Sequence, residues 1–157
     1  MLNARMRVSA KADYAVRAAV ELAVSPQGEP VNGDTIAAAQ EIPIRFLESI
    51  LSEMRKQGLV RSRRGDDGGY WLAKPAGEIT IGEVIRSVEG PLASVRGDPP
   101  DELAYLGAAE PLQGVWVALR ANIRSVLDRV TLGDVVGGAL PEPVRALAEH
   151  PESAPER

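Results

Sequence analysis

Apolar residues recur at helical spacing near the start of the chain. Tyr14, Ala18 and Leu22 lie four residues apart and would share one helix face. Ser9 precedes them, and its hydroxyl can accept a hydrogen bond from a backbone amide of a first helical turn. The pattern therefore predicts a helix from about Ser9 to Val24.

The next two segments predict two short helices joined by a turn. The first runs from Gly33 to Gln40 after the capping residue Asn32, and the second begins at Pro43, a residue favoured in a first helical turn. The second helix combines an apolar stripe, Phe46, Leu47, Ile50, Leu51 and Met54, with a polar face, Arg45, Glu48, Ser49, Ser52, Arg55 and Lys56. This arrangement is typical of a helix-turn-helix.

Two strand-like runs follow, at residues 59–64 and 70–73, with the loop GDDGG at residues 65–69 between them. A Gly/Asp loop between such runs predicts a β-hairpin, and a hairpin directly after a helix-turn-helix is a wing. The glycines do not form a phosphate-binding loop, because they lack the GxxxxGK pattern and lead into a strand.

After the wing, the pattern predicts a short helix, an irregular stretch and one long helix. Thr80 and Glu83 have the spacing of a capping box, whereas residues 91–111 show little periodicity and contain four prolines. The long helix begins near Pro111, and its apolar residues alternate four and three apart, as in a short coiled-coil seam: Leu112, Trp116, Leu119, Ile123, Val126 and Val130.

The fold class expected from these elements is mainly α with a small β-hairpin wing. A further small helix is expected from Thr131. The predicted parts are an N-terminal extension (1–8), a winged helix-turn-helix domain (9–90), an irregular loop (91–110), a dimerisation helix with C-terminal helices (111–150) and a disordered polar tail (151–157).

The distribution of charge changes the interpretation of a net charge of −4. An acidic chain taken as a whole argues against nucleic acid as a partner. Residues 1–64, however, hold ten Lys and Arg against seven Asp and Glu, while the remainder holds eight against fifteen. The positive half of the chain therefore coincides with the predicted helix-turn-helix.

Composition also excludes several kinds of site. The chain has no cysteine, so it forms neither disulfides nor thiolate metal sites. No apolar run resembles a signal peptide or reaches the length of a membrane span, which predicts a soluble cytoplasmic protein without membrane contact.

The polar face of the third helix supplies the first candidate DNA contacts. Arg45, Glu48 and Ser49 lie in its first two turns, where a recognition helix meets base edges in the major groove. A solvated helix surface is the alternative interpretation.

The predicted wing adds arginines beside its tip: Arg61, Arg63 and Arg64. Arg64 adjoins the tip and is our candidate for the minor groove, where the negative potential is strongest, and Arg61 is a further DNA candidate. A strand edge protected by charge is the alternative. Helix and wing together favour double-stranded DNA as a partner.

Several motifs, in this order, resemble those of the Rrf2 family of winged helix-turn-helix regulators. They are MRVSAKADYAVR at 6–17, IPIRFLE at 42–48, GLV at 58–60, RGDDGGY at 64–70, ITIGEV at 79–84 and VEG at 88–90. The resemblance is close over residues 6–91 and loose over the long helix. It implies a homodimeric, DNA-binding transcriptional regulator, usually a repressor, whose long helices cross and whose winged domains each read half of a near-palindromic operator.

Carried over by position, the resemblance also implies roles for individual residues. Phosphate contacts fall on Ser9, Lys11 and Tyr14, base contacts on Arg45, Glu48 and Ser49, and the minor-groove contact on Arg64.

Two features depart from the family pattern. Members that bind an iron–sulfur cluster carry three cysteines before the long helix, whereas residues 91–110 have none and the single histidine is His150. Because a cluster needs thiolate or imidazole ligands, we predict none and expect no other cofactor. The second departure is Asp66 and Asp67 at the wing tip, where carboxylates are unfavourable near phosphate.

The regulatory signal stays open at this point. Tyr105 and Trp116 could line a small-molecule pocket, although Trp116 lies on the predicted seam and fits a core position better. A partner protein, or no effector, are the alternatives. An enzyme is not expected, because no nucleophile with a neighbouring base is evident. The main functional alternative is a winged helix used as a protein–protein interaction module.

Overall fold

The structure, a computed structural model, describes residues 7–150. Most of the predicted extension and the whole predicted tail at residues 151–157 lie outside the described residues. The described elements are α1 (Ala10–Val24), α2 (Gly33–Gln40), α3 (Ile44–Lys56), β1 (Val60–Arg63), β2 (Gly69–Leu72), α4 (Ile81–Glu89), α5 (Leu112–Leu127), α6 (Leu132–Gly137) and α7 (Glu142–Glu149). The expected mainly α fold with a hairpin wing is confirmed.

Three helices begin after the capping residues that the sequence predicted. The Ser9 hydroxyl accepts from the Ala12 amide at 3.0 Å, and the Asn32 side chain accepts from the Asp34 amide at 2.7 Å. Thr80 likewise caps α4, but the predicted capping box is incomplete, because the Glu83 carboxylate pairs with Lys74 at 3.1 Å. The expectation for Pro43 was wrong by one position, because Pro43 precedes α3 and the helix begins at Ile44. These caps satisfy amides that would otherwise lack partners.

Helices α1, α2, α3, α4 and α6 and the base of the hairpin share one apolar core. Small α1 residues, Ala15, Ala18 and Ala19, are fully buried and let neighbouring helices approach closely, while α3 contributes Leu47, Ile50, Leu51 and Met54. Phe46 lies at the edge of this stripe and is 47% exposed. Its ring meets Tyr14 edge-on, with 5.8 Å between the centroids.

The hairpin pairs Val60 with Leu72 and Arg63 with Gly69. A feature that the sequence did not indicate is a third pairing, in which the backbones of Val31 and Tyr70 exchange two hydrogen bonds of 2.8 Å. A Cβ atom at Gly69 would lie 2.5 Å from the Val31 carbonyl oxygen, so this approach requires glycine. The segment before α2 therefore holds the wing against the helices.

The chain leaves this core after α4 and returns to it at α6. Helix α5 ends at Leu127, so the prediction of one helix through Val130 was wrong. Val130 is buried at 6% exposure, and its carbonyl accepts from the Ile81 amide at 2.9 Å. The Leu132 amide donates to the Ile79 carbonyl at 2.9 Å, and the Leu132 side chain is fully buried. The predicted small helix after Thr131 is confirmed as α6, whereas the division of the chain into domains stays a prediction.

No residue of helix α5 is fully buried in this chain. Leu112 and Val115 are exposed, and Trp116 is half-buried, with an Nε1 atom that is buried and lacks a hydrogen-bond partner among residues 7–150. None of the helices in this part of the chain has the length and hydropathy that a bilayer span requires.

Candidate nucleic-acid interface

Helix α3 holds the first group of candidate residues at the protein surface. Arg45, Glu48 and Ser49 are all exposed. Their spacing of three and four residues places them on one helix face, and the opposite face is anchored in the core. The structure therefore presents an arginine, a carboxylate and a hydroxyl together on a rigid support.

The wing exposes arginines on its outer face. Along β1, Val60 is buried and Ser62 is half-buried, while Arg61 and Arg63 are exposed, as the alternation of a strand requires. The Arg63 guanidinium donates to the Asp67 carbonyl at 2.9 Å, so this side chain braces the hairpin turn. Arg61 and Arg64 are exposed beside it.

Two further contacts shape the wing. Arg55, near the end of α3, donates to the Ser62 hydroxyl at 3.4 Å and connects α3 directly with the wing. Asp66 and Asp67 are both exposed at the tip, which leaves the expected electrostatic conflict with phosphate in place.

The three candidate phosphate contacts on α1 also serve the protein itself. Ser9 caps α1 and donates to a Glu89 carboxylate oxygen. Lys11 forms an ion pair with Glu53 of α3, with 2.8 Å between Nζ and Oε2. Lys11 and Tyr14 are partly exposed, so the structure keeps both side chains accessible at the surface near α3.

Arg17, which was not among the predicted site residues, connects the first two helices of the domain. Its guanidinium donates to the Gln40 carbonyl at the end of α2 at 2.7 Å and pairs with Asp13 at 3.0 Å. The guanidinium carbon also lies 4.8 Å from the Tyr14 ring centroid, a cation–π distance. The only signal for Arg17 in the sequence was its place in the motif at residues 6–17. In the structure it fixes the end of α2, where the turn of the helix-turn-helix begins.

Comparisons with known proteins agree with this arrangement. The family described as Rrf2, iron-dependent transcriptional regulator, matches residues 8–138. A Mycobacterium tuberculosis protein described as an HTH-type transcriptional regulator is 55% identical over 144 residues, which cover 92% of this chain and 89% of the relative. The HTH-type transcriptional regulator IscR of Cronobacter sakazakii is 36% identical over 132 residues, 83% and 80% of the two chains.

A solved structure extends the comparison to three dimensions. The structure of CymR (YrzC), the global cysteine regulator of B. subtilis, superposes with a TM-score of 0.71 at 33% identity and covers 86% of this chain and 99% of that one. The winged-helix architecture is therefore shared along nearly the whole of that regulator.

The donor atoms of this chain do not fit the iron–sulfur cluster found in some relatives of this kind. The sequence has no cysteine and one histidine. Within residues 7–150, no three His, Cys, Asp or Glu side chains come together as ligands for a metal ion. Clusters are held by thiolates, with imidazole replacing only some of them, so this chain lacks the ligands that an iron–sulfur cluster requires.

Proposed function

Because the chain belongs to the Rrf2 family of transcriptional regulators, which are not enzymes, we propose that it binds double-stranded DNA as a homodimer and represses transcription from near-palindromic operators. Each winged domain would read one half-site. A regulator of chromosomal genes would work in the cytoplasm.

One observation carries this proposal: α3 buries one face and exposes Arg45, Glu48 and Ser49 on the other, immediately before a hairpin with exposed arginines. In a recognition helix, arginine can donate two hydrogen bonds to guanine, and glutamate can accept one from cytosine. Arg64 would enter the minor groove, and Arg61 would contact the adjoining phosphate backbone of the DNA. Phosphate contacts from Ser9, Lys11 and Tyr14 would fix the register.

The apolar face of α5 supports the dimer. This helix carries apolar residues at seam spacing, yet no α5 residue is fully buried in one protomer. A second copy would cover the seam, which we restrict to Leu112, Trp116, Leu119, Ile123 and Val126, because Val130 belongs to the protomer core. The two readers would then meet half-sites about 34–36 Å apart, one turn of B-DNA.

The proposal is tested by selecting bound duplexes from a random library and measuring affinity by fluorescence anisotropy at several salt concentrations. We expect affinity to fall steeply as salt rises, because each Lys or Arg contact releases counterions from phosphate. Absence of binding to any duplex at low salt would contradict the proposal and favour a protein-interaction module.

A matched pair of variants locates the interface. Arg64→Ala should weaken operator binding by about 1–3 kcal/mol and change the preferred sequence at one position. Arg145→Ala removes another exposed arginine, on α7, where it pairs with Glu142, and should leave affinity unchanged. Equal effects of the two substitutions would remove Arg64 from the interface.

A further inference from the structure

A cavity of about 240 Å³ lies between α4, the segment that follows it and α5. Three arginines line it, Arg86 from α4 and Arg120 and Arg124 from α5, and an apolar wall is formed by Pro91, Leu92, Pro99 and Pro100. Tyr105 and Trp116, our earlier candidates for a pocket, do not line this cavity. It is smaller than the ~300–1,000 Å³ of drug-sized sites, so its ligand would be a small metabolite.

A single carboxylate, that of Asp128, holds two of these arginines in place. Asp128 accepts from Arg86 at 2.7 and 3.2 Å and from Arg124 at 3.3 Å. Burial raises the pKa of Asp128, but the hydrogen bonds from the two arginines outweigh burial and lower the pKa overall. Asp128 is therefore ionised at neutral pH, and it orients both guanidinium groups.

Arg120 is fixed in the same manner by Asp101, whose carboxylate accepts from Arg120 Nη1 at 2.8 Å. Neither Asp101 nor Asp128 lines the cavity. Three cations face two carboxylates, which leaves a positive excess at the wall. Each guanidinium has five N–H donors, and the ion pairs engage one on Arg120 and one on Arg124, so both retain donors for an anion.

The segment that closes the cavity is held in an unusual backbone conformation. Ala93 and Arg96 adopt φ values of +55° and +53°, a region that residues other than glycine seldom occupy. Val95 and Asp98 exchange two backbone hydrogen bonds of 2.9 Å, which close a tight turn between the lining residues Ser94 and Pro99. Strain of this kind collects at ligand clamps and switch segments.

We propose that this cavity binds a small organic anion, a carboxylate or phosphate carried on a compact apolar body, and that the bound anion changes DNA affinity. The anion would contact α4, which packs against α1 and α3 of the reader domain, and α5, the proposed dimer helix. Its binding would set the angle between these helices and hence the separation of the two readers. This regulatory step rests on the proposed function, whereas anion binding does not.

Anion binding is tested on the DNA-free protein by thermal unfolding with acetate, succinate or inorganic phosphate, each at an ionic strength matched with sodium chloride. At ten times its dissociation constant, a bound anion should raise the melting temperature by about 3–6 °C. No rise beyond that of chloride for any of the three probes would overturn the site.

Charge-neutralising variants assign the effect to the cavity. Arg120→Gln and Arg124→Gln should each weaken anion binding about tenfold or more, judged from the ligand-induced shift relative to the variant's own melting temperature. Arg129→Gln loses the same charge just beyond α5, at an exposed residue outside the cavity, and should bind as the parent does. Equal binding by all three variants would overturn the assignment.

The regulatory step has its own measurement. Operator affinity, measured with and without the stabilising anion at constant ionic strength, should change at least fivefold in the parent and remain constant in Arg124→Gln. Anion binding without any change in affinity would refute the regulatory step alone. A protein that binds the anion but no duplex would refute the proposed function and leave the site intact.

Discussion

Replacing Gly82 by alanine should weaken the junction between α4 and α5. Gly82 is buried in the first turn of α4, and a Cβ atom there would lie 2.0 Å from Asp128 Oδ1 and 3.2 Å from Arg86 Nη1. Ordinary contact begins at 3.4 Å, so the carboxylate would have to move by roughly 1.4 Å. The Arg86–Asp128 hydrogen bond of 2.7 Å would then be stretched or lost.

The magnitude follows from two opposing contributions. Alanine is favoured over glycine within a helix by about 1 kcal/mol. Loss of a charge-assisted hydrogen bond costs about 1.5–3 kcal/mol, and the lower half of that range applies because both side chains are partly exposed. We therefore expect Gly82→Ala to lower the free energy of unfolding by about 1 kcal/mol in spite of its better helix propensity.

Urea denaturation of Gly82→Ala and Gly114→Ala would measure this effect against a matched control. Gly114 lies within α5, and a Cβ atom there would have no neighbour within 4 Å, so its replacement should be neutral or stabilising by up to ~1 kcal/mol. In an Asp128→Ala background, the clash disappears and Gly82→Ala should also become neutral or stabilising. A destabilisation of equal size in both backgrounds would refute the reasoning.

Three further outcomes are expected. Gly69→Ala should destabilise the wing by about 1–3 kcal/mol, seen as lower protection of the Val31 amide in hydrogen exchange, because its Cβ would meet the Val31 backbone. Ile123→Asp should convert the proposed dimer to monomers in sedimentation, since a charge would enter the seam; a persistent dimer would exclude this face. Because the pKa of Asp128 is lowered on folding, its stabilisation is complete above the ordinary value of 3.8 and is lost as the pH falls through the folded pKa. The free energy of unfolding of Asp128→Asn, measured by urea denaturation, should accordingly fall less between pH 6 and pH 3 than that of the parent protein.

Elements encoded by local chemistry were predicted well from the sequence. Ser9, Asn32 and Thr80 precede helices because their side chains accept hydrogen bonds from nearby amides, and this signal lies within a few residues. The glycines of the loop at residues 65–69 are an equally local signal, and they predicted the hairpin turn. The polar face of α3 followed from spacing alone, since the opposite face had to be buried.

Features that depend on long-range contacts were missed or misplaced. Val130 continues the seam spacing, but its carbonyl accepts a hydrogen bond from Ile81, and its side chain is buried in the core of the chain. Phe46 borders the apolar stripe, yet its surroundings leave it half exposed. Arg86 and Asp128 form a hydrogen bond although they are 42 residues apart, and the periodicity of a single sequence does not predict such a contact.

The paired backbone hydrogen bonds of Ile79 and Ile81 with residues 130–132 have a consequence for how such regulators diversify. These hydrogen bonds hold the two ends of the intervening stretch together. A longer segment between them would therefore add little to the entropic cost of bringing its ends together. Doubling the length of a flexible loop adds only ~0.6 kcal/mol. The segment between Gly90 and Pro111 can therefore change in sequence, length or ligand chemistry while the helices and hairpin before it keep their fold.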